Sequence, residues 1–288
     1  MLHFLRSHAR LLITASLTLG LLAFASGCEK LKARDALNKG VQAYKATKYD
    51  EAAQKFTEAL SYDPTFEVAR LYLATSYMSQ WIPGADSPEN KALAQKAEAE
   101  FMKVLETNPK DKLAIESIAS MRYNQANAYT SLEDKLKVMD DAKTWYAKLI
   151  EVAPDNSKAY YSLGVIAWSK WYPQFKQARE KAGMKQEDPG PIKDKKIREE
   201  LKAKYSDLVA EGIKHLDKAV EIDPEYDDAM AYLNLLIRER ADLAETPDEY
   251  KKDIATADNW VQKALEAKKI KAERLEKKNK GIVNDTAK

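Results

Sequence analysis

Residues 39–64 read KGVQAYKATKYDEAAQKFTEALSYDP, and this stretch decides the fold. Ala52, Phe56 and Ala59 stand twelve, eight and five residues before Pro64. A small residue, a large apolar one four later and an apolar one three after that lie on one stripe of a helix. The small residue lets a neighbouring helix come close, and the large one fills the groove beside it. The proline ends the run because it cannot continue a helix.

The same pattern recurs three times. AQKAEAEFMKVLETNP ends at Pro109, MDDAKTWYAKLIEVAP at Pro154 and LVAEGIKHLDKAVEIDP at Pro224. Twelve residues before these prolines stand Ala97, Ala142 and Gly212; eight before, Phe101, Tyr146 and Leu216; five before, Val104, Leu149 and Ala219. Ten residues past the first three prolines come Ala74, Ala119 and Gly164, each inside a second helical pattern. A period of this kind marks stacked supersecondary units that share a continuous core. The prolines are 45, 45 and 70 residues apart while the distances from small residue to proline stay fixed. The added residues therefore fall between the two helices of a unit.

This pattern resembles the tetratricopeptide repeat, in which helices A and B form antiparallel pairs. Gly40, Ala74, Ala119 and Gly164 match the small position of helix A, and the stripe before each proline matches helix B. The resemblance implies an all-α, right-handed superhelical solenoid of about five helix pairs over residues 33–268, with lengthened A–B hairpins. The units are 33–64, 65–109, 110–154, 155–224 and 225–268. The last is weaker, with AYLNLLIRER followed by Ala257, Val261 and Ala264 and no closing proline. Terminal units are often atypical.

Two pentapeptides, SQWIP at 79–83 and SKWYP at 169–173, lie two repeats apart. Trp81 and Trp171 each follow a small residue, Ala74 or Gly164, by seven positions, which is two helical turns. Both are expected in the seam between helices A and B, with Pro83 and Pro173 stopping helix A. A pair of ligand-facing rings at the rim is the alternative.

The first 27 residues differ from the rest. Arg6 and Arg10 precede an uncharged run from Leu11 to Phe24, and Ala25-Ser26-Gly27 lead into Cys28. This reads as a secretory signal, too short for the roughly 20 apolar residues of a membrane span. Ala-Ser-Gly-Cys resembles a bacterial lipobox, which implies acylation of Cys28, an acylated linker at 28–32 and membrane attachment through lipid. Ordinary cleavage after Ala25 is the alternative and would leave a lone thiol in an oxidising compartment. Glu29 after the cysteine leans toward the periplasmic face of the outer membrane over the inner.

The 288-residue chain carries 47 Lys and Arg against 45 Asp and Glu. Without residues 1–27 the count is 45 of each, which gives no global electrostatic claim on nucleic acid. The basic tail at 269–288 reads as a solvated terminal helix. Beyond the signal, His215 and Cys28 are the only histidine and cysteine. That pair offers neither a nucleophile–base constellation nor a metal cluster, so no enzyme activity, cofactor or metal is expected. His215 reads as a helix residue, and Asp140-Asp141 and Asp227-Asp228 as acidic helix starts. Residues 174–196, with seven basic and four acidic residues, read as a solvated loop entering a helix near Ile192.

In the resembled family, positions three before and one and four after the small residue of helix A line a concave face. Here these include Leu37, Val41, Tyr44, Leu71, Met78, Tyr123, Tyr161 and Trp168, with Thr75, Glu116, Ser120, Val165, Ala231, Leu235 and Arg238 completing the set. The Lys and Asn clamp that some members use for a C-terminal carboxylate is absent. The face is apolar and aromatic, which suits a peptide or protein partner. The expected function is a lipid-anchored envelope scaffold that binds a protein through this face. The rival is a lipoprotein that captures a small molecule for a transporter, which a closed, Trp-lined pocket favours over an open groove.

Overall fold

The computed structural model describes residues 27–286 apart from residue 186, with side chains described except for residue 127 and residues 279–286. The signal expected over residues 1–27 lies outside these residues but for its last position. The described residues form ten α-helices and no strand. They are α1 (27–45), α2 (Tyr49–Tyr62), α3 (Glu67–Gln80), α4 (Pro88–Thr107) and α5 (Lys112–Gln125), then α6 (Leu132–Val152), α7 (Ser157–Lys181), α8 (Lys195–Ile222), α9 (Asp227–Ala241) and α10 (Pro247–Thr286). No helix among the described residues is long and apolar enough to cross a membrane. Residues 28–32, expected as a linker, are continuous with α1, and the tail at 269–286 continues α10.

The four prolines build one joint four times. Helices α2, α4, α6 and α8 each end two residues before a proline, and the next helix starts three residues after it. The residue before proline is barred from helical geometry by the ring. Asp63, Asn108 and Asp223 accordingly have φ of −137°, −131° and −123°. Each joint closes by one turn bond across the proline: Phe66 N to Asp63 O, Asp111 N to Asn108 O, Asn156 N to Ala153 O, and Tyr226 N to Asp223 O, at 3.0–3.1 Å. Asp111 and Asn156 also cap the helix that follows, accepting from Ala114 N at 2.8 Å and Ala159 N at 2.9 Å.

The seam expected from the stripe is the core. Ala52, Phe56, Ala59, Ala97, Phe101, Val104, Ala142, Leu149, Leu216 and Ala219 are fully buried, as are Ala74 and Ala119. Helix A needs its small residue because the large residue of helix B occupies the space. A Cβ on Gly40 would lie 2.5 Å from Phe56 Cε1, and one on Gly164 would lie 2.4 Å from Leu216 Cγ.

The chain divides into two compact units, Met1–Ser131 and Leu132–Lys288. The division falls between α5 and α6, inside the repeat expected at 110–154. There the helical pattern gives way to a 3-10 turn at Ala126–Ala128 and extended backbone at Tyr129. The first unit holds α1–α5, with clusters around Phe56 and Leu73 and around Ala36, Ala59 and Ala69. The second holds α6–α10, with a larger cluster from Trp171 through Ile192 and Leu216 to Leu236.

Three expectations are corrected. Pro83 follows the end of α3, but Pro173 lies inside α7, which runs on to Lys181. A proline in a helix costs about 3 kcal/mol. The run QFKQAREK beyond it buries Phe175, Ala178 and Arg179 on the face begun by Trp171, and each large apolar side chain returns about 1.5–3 kcal/mol. Gly183, at φ +70°, ends the helix instead. Met184 N bonds to Arg179 O and Gly183 N to Glu180 O, the paired closure that a left-handed glycine allows. Second, Asp140-Asp141 sit mid-way along α6, which begins at Leu132; only Asp227-Asp228 open a helix. Third, the segment at 174–196 is not a solvated loop. Its first third is helix, and Ile192 is fully buried.

Candidate functional site

The second unit carries an aromatic face built by α7 and α9. Tyr161, Trp168 and Tyr172 follow at seven and four residues on α7, which is one face of a helix. Tyr232 on α9 lies between them, with ring centroids 5.7 Å from Tyr161 and 5.4 Å from Trp168, both edge-on. Tyr226, just before α9, extends the row 5.0 Å from Tyr161, and Tyr172 stacks on Trp168 at 4.9 Å. All five rings are half-buried, and their edge-on and stacked geometries are the favourable ones. Burial, with the nearby Asp228 and Asp223 carboxylates, pushes the Tyr226 phenol up to about 12. It stays protonated at neutral pH.

Beyond Trp168 the row opens into a cavity of about 900 Å³. Trp168, Tyr172, Phe175, Leu235, Tyr250 and Ile254 supply ring and aliphatic walls. One side is the strap formed by residues 183–185 and 187–194, which Arg179 holds in place. The buried Arg179 guanidinium pairs with Asp242 and donates to the carbonyls of Lys185 at 2.7 Å and Asp188 at 2.6 Å. Ile192 N donates to Asp242 O at 2.9 Å, and Arg198 to Ile192 O at 2.6 Å. Gly190 passes so close to Asp242 that a Cβ there would lie 1.7 Å from a carboxylate oxygen.

Glu239 lines the same cavity and is 8% exposed. Its Oε1 accepts from Trp168 Nε1 at 3.1 Å. Its Oε2 and Trp171 Nε1 are both buried without a partner in hydrogen-bond geometry, although the Trp171 indole still partly offsets the burial. Burial pushes the Glu239 carboxyl up to about 7, against the two indoles and with help from the Asp242 carboxylate.

The structure separates the candidate residues. Tyr161 and Trp168 sit together on the aromatic face. Leu37, Val41 and Tyr44 lie in the first unit beside the Phe56–Leu73 cluster, where the Tyr44 hydroxyl lies 3.1 Å from Ser79 Oγ. Leu71, Met78 and Tyr123 are half-buried in that unit. Val165 is buried core at 6% exposure. Both seam tryptophans are buried, Trp171 fully and Trp81 to 9% exposure, and Trp171 packs 5.8 Å from Tyr205 of α8. Cys28 is exposed on α1. His215 lies 3.6 Å from Glu211 and tilts on Tyr160 at 6.0 Å, and burial lowers its pKa. Among the described residues no cluster of three or more His, Cys, Asp or Glu can hold a metal ion.

Sequence reasoning missed Tyr172, Tyr226, Tyr232 and Glu239. Tyr172 had a signal, since it stands four residues after Trp168. Tyr232 and Glu239 stand one position beyond the expected Ala231 and Arg238.

MamA from Desulfovibrio magneticus RS-1, from residue 41 to its end, superposes with a TM-score of 0.50. It is 17% identical over 83% of this chain and 96% of its own. A double mutant of the same MamA gives 0.52 at the same identity and coverage. TTC0263, a thermophilic TPR protein of Thermus thermophilus, is 16% identical over 71% of this chain and 98% of its own, with a TM-score of 0.40. The chain has the tetratricopeptide-repeat fold. At 17% identity the likeness to MamA speaks for the fold alone. No family model and no curated protein sequence matches the chain.

Proposed function

We propose that this chain is a repeat scaffold that binds a protein or peptide partner, held to a bacterial envelope membrane, the outer one favoured, by lipid on Cys28. The observation that supports binding is the row of five half-buried rings, Tyr226, Tyr161, Tyr232, Trp168 and Tyr172, on one face of α7 and α9. Aromatic side chains in a continuous patch are the usual anchors of an interface, each costing about 2 kcal/mol or more when truncated. Anchoring is supported by the exposed lone cysteine behind a signal-like segment, and two or more acyl chains hold a protein stably.

One experiment tests both parts. The tagged chain is cross-linked in cells, membranes are washed with carbonate, and captured proteins are identified. The wild-type chain should stay with the membrane and retain a defined partner. Tyr161→Ala with Trp168→Ala should lose the partner while the chain remains folded and membrane-bound. Cys28→Ser should move the chain to the soluble fraction. Partner retention by the double variant would overturn the aromatic face, and a membrane-bound Ser variant would overturn the anchor. The cavity beside Trp168 favours a second reading, capture of a small molecule.

A further inference from the structure

The charges around the cavity do not balance. Four basic side chains line it: Lys176, Arg179, Lys185 and Arg238. Besides Glu239, four acidic ones do: Glu180, Glu187, Asp188 and Asp242. Arg179 is taken by Asp242 and two carbonyls. Arg238, on α9, is held by Asn234 and by Asp258 of α10. Lys176 lies 3.9 Å from Glu180, its neighbour on α7. Lys185, Glu187 and Asp188 are exposed or half-buried on the strap; Glu239 is the acid that lies buried, at 8% exposure, with no cation paired to it. Among the described residues no side-chain cation bonds to it, and its buried Oε2 has only the Trp171 indole beside it, outside hydrogen-bond geometry. A carboxylate in that condition costs several kcal/mol unless a counter-charge reaches it. Aromatic rings, Trp168, Tyr172 and Phe175, line the cavity beside it, and such rings attract cations, Trp best of all.

We propose that the cavity binds an organic cation, a protonated amine or a guanidinium on an apolar body. Glu239 is its counter-charge, the Trp168–Tyr172 stack is its ring wall, and Phe175, Leu235 and Ile254 receive its apolar part. The volume of about 900 Å³ falls in the range of small-ligand sites. The site does not depend on the partner reading above. The same chemistry comes from a free amine or from a lysine or arginine side chain of a bound polypeptide.

Binding of a cation stabilises the ionised carboxylate. Affinity should therefore rise with pH through about 7, where the free carboxyl titrates, and level off above. Below that, the carboxyl must first release its proton, and affinity should fall roughly ten-fold per pH unit. Trp168, Trp171 and Asp242 act on Glu239 directly, and the other charged or titratable groups lining the cavity are Lys176, Arg179 and Glu180 of α7, Arg238 of α9, the strap's Lys185, Glu187 and Asp188, and Tyr250 of α10. Lysine, arginine and tyrosine do not ordinarily titrate near neutrality.

The test is calorimetric titration of the full chain with phenethylammonium, agmatine and the neutral 2-phenylethanol. Short capped peptides carrying one lysine, or norleucine in its place, form a second arm. The amines should bind at least about ten-fold more tightly than the alcohol at about pH 8, as a charge-assisted hydrogen bond predicts. Near neutrality they should displace a proton, read from the dependence of heat on buffer. Glu239→Gln should remove the preference for charge and the proton release together. Tyr172→Leu, which leaves the carboxyl in place, should weaken binding but keep the proton release. Tighter binding of the lysine peptide than of free amine assigns the cation to a polypeptide, and the reverse assigns it to a free amine. Equal binding of amine and alcohol, no binding by either arm, or unchanged amine affinity in Glu239→Gln overturns the proposal. The last outcome would mean that Trp171, not a ligand, completes Glu239.

Discussion

SQWIP and SKWYP share a pentapeptide spacing and a buried tryptophan, yet one ends a helix and the other sits inside one. After Pro83 the chain offers Gly84 at φ +84° and no large apolar residue until α4. Asn90 closes that turn, accepting from Ile82 N at 2.7 Å and donating to the carbonyls of Ile82 and Ala85 at 2.8 and 2.9 Å. After Pro173 the chain offers Phe175, Ala178 and Arg179 in register with Trp171, and glycine arrives only at 183. A proline removes one hydrogen bond. Whether the helix survives depends on what the next two turns can bury. The longer helix then carries Tyr172, Phe175 and Arg179 to the cavity, and the first unit has no counterpart of that extension.

Removal of Arg179 should break the comparison most strongly. Arg179→Met leaves Asp242 buried at 5% exposure without its cation, an effect of about 3–5 kcal/mol. Urea unfolding of the second unit should shift by that amount, and amide exchange at residues 183–194 should lose protection. A shift below about 1 kcal/mol would show that the strap does not hang on this residue. The tryptophans come next. Trp171→Ala opens a cavity in fully packed core and should cost about 4 kcal/mol; Trp81→Ala, beside a turn that can collapse, should cost about 2. Equal thermal shifts would mean that the two seams are equivalent after all. The smallest effect sharpens the contrast. Pro173→Ala restores the bond to the Ser169 carbonyl but frees the unfolded chain, so it should stabilise by about 2 kcal/mol, less than the full cost of an interior proline, whereas Pro83→Ala should stay within about 0.5 kcal/mol. Helicity and melting temperature read both.

What the sequence made legible was local or strictly spaced. The joint needs only a proline, and the seam needs only small and large residues four apart, so Gly40 against Phe56 and Gly164 against Leu216 follow from spacing. The aromatic face was half legible. Tyr161 and Trp168 follow from Gly164, and the same offsets from Gly40 pick Leu37, Val41 and Tyr44, half-buried beside the Phe56–Leu73 cluster of the first unit. Offsets state direction along a helix and say nothing of what stands opposite. Pro173 was misread because a local rule was applied where Phe175 to Gly183 decide. Glu239 could not be found by spacing at all. Its meaning comes from Trp168, 71 residues away, and Asp242 takes its own from Arg179 across 63.

The proline joints fix one end of every hairpin and leave the other end free to grow. Helix B is 14, 20, 21 and 28 residues long in the four repeats that a proline closes, while the turn across each proline keeps its length. New sequence enters at the tip without re-registering the stack, as a building takes on storeys without moving its foundations. The fourth hairpin grew most between its prolines, and the strap and Arg179 stand in that growth. The cavity is thus an annex of the repeat, and its lining can be altered while the frame beneath stays as it is.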